Sequence, residues 1–125
     1  TVLAALQIIQ SAEGDDLRRK LVGVVHCVRE ALQSSGLRCL GEPGPVVPVF
    51  LGPEGVGRIT AALCFEAGLF ANLVEFPAVA IGASRFRMQV MASHTNAQAE
   101  RAADIIGEAY RFANELFAAH GSNPL

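Results

Sequence analysis

The chain is predicted to be an α+β domain: a small, mostly antiparallel three-stranded sheet packed by helices on one side. Two patterns carry that expectation. Between Ser84 and Met91, Arg85, Arg87 and Gln89 alternate with Phe86, Met88 and Val90, the period of a strand with one buried face. Between Asp16 and Ser35, the residues Leu17, Leu21, Val24, Val25, Val28, Ala31 and Leu32 recur at the i, i+3, i+4, i+7 spacing of a helix stripe. The full order is helix, helix, strand, helix, strand, strand, helix. One sheet with its helices on a single face buries those stripes compactly.

Residues 2–12 read as a first helix, apolar on most sides, that stops near Gly14, where Asp15 and Asp16 serve the next N-terminus. The second helix runs from Asp16 to Ser35, with Arg18, Arg19, Arg29 and Glu30 outside and Gly36 as its stop. Gly41-Glu42-Pro43-Gly44-Pro45 is a turn-rich connection. Val46 to Leu51 follows as a strand, and Pro48, which has no amide donor, places it at an edge or start of the sheet. Pro53 and Glu54 open a third helix with the stripe Val56, Ile59, Ala62, Leu63, Phe65 and Ala67, ending at Gly68. Leu69 to Val74 is a short strand. Glu75 to Ala83 contains Pro77 and Gly82 and is too apolar for a solvated loop, so it is expected to pack over something. After the arginine strand, Thr95 and Gln98 form a capping box for a helix from Thr95 to Ala119. Its buried face is Ala99, Ala102, Ala103, Ile106, Ala109, Tyr110, Ala113, Leu116 and Phe117. Gly121 to Leu125 should fray.

At 125 residues this is one domain. Hydrophobic residues make up 51% and charged residues 18%, a balance that leaves apolar surface for a partner. With a net charge of −2, no basic run and no tryptophan, the chain is not expected to bind nucleic acid. Cys27, Cys39 and Cys64 are odd in number and widely spaced, which points to a reducing, cytoplasmic setting. No run has the length of a transmembrane segment, and no signal peptide opens the chain. Val2, Leu3, Leu6 and Ile9 show helical spacing from the first residues with no cap before them, so the sequence is expected to be a fragment of something longer.

The chemistry concentrates on Arg85 and Arg87. An arginine fixed on a strand can offer a carboxylate two parallel hydrogen bonds from its planar fork. Taken alone, such side chains are more often solvated surface. His94 stands between this strand and the capping box, either as a cleft residue or as a junction residue bonded locally. Gly52-Pro53-Glu54-Gly55-Val56-Gly57 lacks the spacing of a dinucleotide or phosphate loop. His26 beside Cys27 has no second ligand pair, so no metal site is expected. Ser93 and His94 are adjacent, which does not make a nucleophile and its base. Lys20 is the only lysine and lies on a helix surface, a poor place for an imine-forming amine.

Residues from about Val47 to Ala113 resemble the C-terminal domain of the α-oxoamine synthases, a group within the fold-type-I pyridoxal-phosphate enzymes. The likeness is carried by Val47-Pro48-Val49-Phe50-Leu51-Gly52, Glu66-Ala67-Gly68-Leu69-Phe70-Ala71-Asn72, Phe76-Pro77-Ala78-Val79, Gly82, Arg85-Phe86-Arg87 and His94-Thr95. Leu69 to Asn72 and Ser93 to Thr95 look most like the serine palmitoyltransferase branch. Aminooxononanoate synthase, aminolevulinate synthase and aminoketobutyrate ligase are close alternatives.

The resemblance implies a condensation of an amino acid with an acyl thioester that uses pyridoxal 5'-phosphate in a homodimer. It implies that Arg87 binds the amino-acid carboxylate, while Arg85 inherits no role. Where some bacterial members carry a second, mobile arginine, this chain has Glu75. It implies one small C-terminal domain over residues 1–125, with a helical lead-in at 1–36 and a strand-helix-strand-strand-helix unit at 46–119. The catalytic large domain, with the cofactor's lysine, aspartate, histidine and phosphate-binding groups, is absent from this sequence, so the chain alone is expected to be inactive. The apolar first helix and Phe76 to Ile81 would then cover the large domain or the dimer partner. The rival expectation is a stand-alone α+β binding or regulatory module that holds a small anion at Arg85 and Arg87.

Overall fold

The computed structural model describes residues 1–120. Its elements are α1 (Val2–Ile9), α2 (Ala12–Ser34), β1 (Arg38–Cys39), β2 (Val46–Gly52), α3 (Glu54–Glu66), β3 (Asn72–Val74), β4 (Ser84–Gln89) and α4 (Asn96–His120). The expected fraying of Gly121 to Leu125 lies outside the described residues. The four strands form one antiparallel sheet in the order β1-β2-β4-β3. Alternation sorts the side chains by face. Val47, Val49, Leu51 and Phe86 are fully buried and join Val24, Val28, Leu32, Cys64, Ala103 and Ile106 in one core. That leaves α2, α3 and α4 on one face of the sheet and the other face uncovered.

The first helical boundary differs from the expectation. α1 ends at Ile9, and Ser11 caps α2, accepting from the Gly14 amide at 3.3 Å and donating to the Ile8 carbonyl at 2.6 Å. Gly14 is therefore not a stop but lies inside α2. A Cβ there would stand 2.3 Å from the Ile8 carbonyl oxygen, so the missing side chain is what lets the two helices meet in a tight elbow. Arg18 reaches back to the Ile9 carbonyl at 2.9 Å and satisfies the end of α1.

The sheet has four strands rather than three. β1, only two residues long, pairs Arg38 with Phe50 and Cys39 with Val49, and two residues are too few to show a period. Pro48 accordingly sits on an interior strand and not at an edge. Its missing amide falls where the β1 ladder gives out: the Leu40 amide donates to the Pro48 carbonyl at 2.9 Å, and proline returns nothing. Arg29 takes up the slack, donating to the Leu40 carbonyl at 3.3 Å and the Gly41 carbonyl at 2.8 Å.

β3 begins at Asn72 instead of Leu69, because the preceding residues are spent on ending α3. The Leu69 amide returns to the Cys64 carbonyl at 2.9 Å across Gly68, whose φ is +90°, a left-handed helix stop. The buried face of α3 is Val56, Gly57, Thr60 and Cys64. Ile59 and Leu63 are half-buried, whereas Ala62, Phe65 and Ala67 of the expected stripe are exposed. Thr60 can be buried because its hydroxyl donates to the Val56 carbonyl at 2.7 Å. In α2 the stripe buries Val24, Val25, Val28 and Leu32, while Leu17 is exposed. Ala99, Ala103, Ile106, Gly107, Ala109 and Ala113 bury α4, while Leu116 and Phe117 are exposed. Its N-terminus closes as the capping box foresaw: the Thr95 amide donates to Gln98 Oε1 at 2.9 Å, and the Gln98 amide donates to Thr95 Oγ1 at 3.1 Å. Among the described residues no helix is long and apolar enough to cross a membrane.

Two apolar stretches lie open. No residue of α1 is buried, and in the 75–83 segment Phe76 is 56% and Ile81 75% exposed. That segment, expected to pack over something, is instead tethered at its ends by one face of α3. Arg58 grips Glu75 with Nε to Oε2 at 3.0 Å and Nη2 to Oε1 at 3.1 Å, and one turn earlier Glu54 Oε1 accepts from the Gly82 amide at 2.8 Å.

Candidate functional site

The uncovered face of the sheet holds the residues singled out in the sequence. Arg87 is exposed on β4, an interior strand, so its backbone is held by ladders on both sides. Its cross-strand partners are Pro48 on β2 and Asn72 on β3. Arg85 lies two residues along, about 7 Å away on the same face, between Phe50 and Val74. It is half-buried, and its Nε donates to the Ala83 carbonyl at 3.3 Å. A third guanidinium, Arg38 on β1, stands 5.6 Å above the Phe50 ring, a cation–π contact. None of these three arginines forms a salt bridge among the described residues. They leave a positive, partly apolar platform in a chain whose net charge is −2.

No hydrogen bond joins His94 to the arginines of this platform: its Nδ1 accepts from the Met91 amide at 2.9 Å and closes the turn between β4 and α4. The ring lines a cleft of about 370 Å³ with Leu69, Phe70, Gln89, Val90 and Gln98, which reaches β4 two residues beyond Arg87. Glu75 is likewise turned away, towards α3, where the Arg58 fork fills both its oxygens. That hydrogen bond, with the charge of Glu75 behind it, raises the Arg58 pKa above its already high value.

No nucleophile or metal cluster accompanies the arginines. Burial pushes the Cys64 thiol up to about 11 and raises Cys39 as well. Cys27 is raised by desolvation and by the acids Glu100 and Glu30. All three cysteines are free, but none has the lowered pKa of a reactive thiol. No group of three or more His, Cys, Asp or Glu side chains is placed to hold a metal among the described residues. Lys20 is exposed on α2, a helix of the layer behind the sheet. What the platform can do chemically is recognise an anion.

Sequence reading located Arg85 and Arg87 through their alternation but missed Arg38, Asn72 and Arg58. Each owes its place to pairing with residues far along the chain, which no local period reports.

Known proteins share this fold. The family of class I and II aminotransferases matches residues 1–106. An 8-amino-7-oxononanoate synthase from Citrifermentans bemidjiense is 35% identical over 104 residues, which is 83% of this chain and 27% of the relative. The chain thus spans about a quarter of the length of the curated relatives it matches. Among solved structures, a serine palmitoyltransferase from S. paucimobilis with pyridoxal phosphate and myriocin bound superposes with a TM-score of 0.77 at 21% identity, over 89% of this chain and 28% of that one. The 8-amino-7-oxononanoate synthase of Francisella tularensis gives 0.74 at 16% identity, over 88% and 31%. Those likenesses establish a shared fold, that of the C-terminal part of fold-type-I pyridoxal-phosphate enzymes. With the family pattern running through most of its length, the chain belongs to the class I and II aminotransferase family, and it resembles the C-terminal portion of the α-oxoamine synthases.

Proposed function

We propose that this chain is the C-terminal small domain of a pyridoxal-phosphate-dependent acyltransferase that joins an amino acid to an acyl thioester, and that Arg87 binds the carboxylate of the amino acid. The observation that carries the reading is the setting of Arg87: a guanidinium without an ion-pair partner among the described residues, on an interior strand of an uncovered face. The strand fixes where the fork starts, and the fork's parallel donors fix the orientation of the carboxylate. Holding that end of the substrate still converts binding energy into alignment of the bond that must react.

Pyridoxal phosphate supplies the electron sink for such chemistry. On this reading its attachment falls to the large domain, and Lys20, exposed on α2, takes no part. The chain's own task is recognition, and on this reading it is inactive by itself. Turnover by the 125-residue polypeptide alone would overturn that statement. The exposed apolar residues of α1 and of Phe76 to Ile81 are surfaces for the remainder of the protein or for the second subunit of a homodimer. The free thiols of Cys27, Cys39 and Cys64 accord with a cytoplasmic enzyme.

The test is amino-acid binding by the complete protein with Arg87→Ala and Arg87→Lys. Losing a charge-assisted hydrogen-bonded partner should weaken binding roughly ten- to a hundredfold. Lysine keeps the charge but not the fork and should recover part of it. Unchanged affinity in Arg87→Ala would remove the carboxylate role.

A further inference from the structure

We propose that Asn72 is a positioning residue for Arg87: once the face is covered, its neutral carboxamide oxygen accepts from the guanidinium and holds the fork in the plane in which it meets a carboxylate, without cancelling its charge. The inference rests on the reading of Arg87 as a carboxylate anchor.

Asn72 is the register partner of Arg87 on β3, and both side chains are exposed on the open face. Directly opposed side chains on one face of an antiparallel pair stand about 4.5–5.5 Å apart at Cβ, within reach of an amide oxygen and a guanidinium. The partner on the other side is Pro48, whose ring offers no acceptor. Of the two cross-strand neighbours, one can hold the fork.

A guanidinium has five N–H donors, and a carboxylate bound fork to fork takes two. The others are served by water while the face is open. Once substrate and the rest of the protein cover that face, a donor left without an acceptor becomes costly. A neutral acceptor meets this need and leaves the positive charge for the substrate. An acidic neighbour would instead form an ion pair with Arg87 and compete for the same donors. The arginine platform carries no such competitor: Glu75, the acid nearest to β3 in sequence, is turned to the opposite side and bound by Arg58. Asn72 thus gives orientation where a carboxylate would give occupation.

The experiment is steady-state kinetics on the complete protein with Asn72→Asp, Asn72→Ala and Asn72→Gln, beside Arg87→Ala. Asn72→Asp should raise KM for the amino acid by up to about fivefold, the factor that corresponds to an exposed ion pair at its strongest, with kcat within about twofold of wild type. Added salt should shrink that penalty, because it screens the new pair. A merely structural defect would not respond in this way. Asn72→Gln, which keeps a neutral acceptor, should stay near wild type, and Asn72→Ala should fall between them. A wild-type KM in Asn72→Asp, with KM raised in Arg87→Ala, overturns the role of Asn72 and leaves that of Arg87 standing. No effect from Arg87→Ala overturns the anchor itself. Should Asn72→Asp fail to fold, an unchanged KM in Asn72→Ala overturns the proposal equally.

Discussion

Gly57→Ala asks whether α3 lies against β4 because one side chain is missing. A Cβ at position 57 would stand 2.5 Å from Ser84 Oγ and 3.2 Å from both Ser84 Cβ and Leu73 Cδ1. The hydroxyl cannot simply swing aside. Ser84 is fully buried and donates to the Gly52 carbonyl at 2.8 Å, so rotation would leave that carbonyl unpaired. Overpacking a filled core costs about 1–3 kcal/mol, and a pinned neighbour at this range puts the cost near about 3. Alanine offsets about 1 kcal/mol of it by favouring the helix over glycine. The expected net loss is about 2 kcal/mol, read as a shift in the urea midpoint at constant slope. Ser84→Ala alone should cost about 1 kcal/mol for the lost hydrogen bond. Without the oxygen, the nearest atoms to the new methyl are at 3.2 Å, a tight fit whose residual cost of about 1 kcal/mol the helix preference of alanine offsets, so Gly57→Ala should cost almost nothing in that background. The double-mutant cycle should therefore show coupling of about 2 kcal/mol. If Gly57→Ala costs the same in both backgrounds to within about 0.5 kcal/mol, Ser84 does not set the approach of α3 and the reasoning fails.

Two further outcomes follow from the same packing. Because burial raises the Cys64 thiol to about 11 from the ordinary 9.0, its proton is bound more tightly in the folded chain than in the unfolded one. The associated stability is fully present below pH 9 and is lost as pH rises towards 11. Urea midpoints should fall across that window, and Cys64→Ala should flatten the fall; a parallel decline in both proteins would refute the assignment. Arg58→Ala releases one tether of the 75–83 segment while leaving the core untouched. Amide exchange across the segment and thermolysin cleavage on the amino side of the exposed Ile81 should accelerate with the main unfolding midpoint nearly unchanged, and unaltered protection there would show that Arg58 does not hold the segment.

Legibility in the sequence followed the range of the interaction responsible. The capping box at Thr95 and Gln98 and the stop at Gly36 involve residues a few positions apart and came out as expected. So did the two-faced strand from Ser84 to Gln89, whose parity is local. Misread positions turn on three-dimensional contacts that residue type alone does not report. Gly14 looked like a terminator because glycine usually ends a helix, whereas here it admits the carbonyls of α1. Thr60 is not in the apolar stripe predicted for α3, yet its own helix satisfies the hydroxyl and frees it for burial. Pro48 suggested an edge, and only the pairing of β1 and β4 with β2 showed that the missing donor falls at the frayed end of a ladder.

The candidate site divides in the same way. By itself, the sequence determined that Arg85 and Arg87 share a face and that the face is polar, because alternation along a strand is a covalent consequence of backbone geometry. It also carried the family likeness, through the order and spacing of short motifs. Tertiary structure decided which neighbours Arg87 has. Register placed Asn72 and Pro48 beside it and set Arg38 opposite Phe50 on the neighbouring strand, while Arg58 drew Glu75 to α3. Those placements depend on hydrogen-bonded pairing between segments a dozen or more residues apart, where a shift of one residue would send every side chain to the other face.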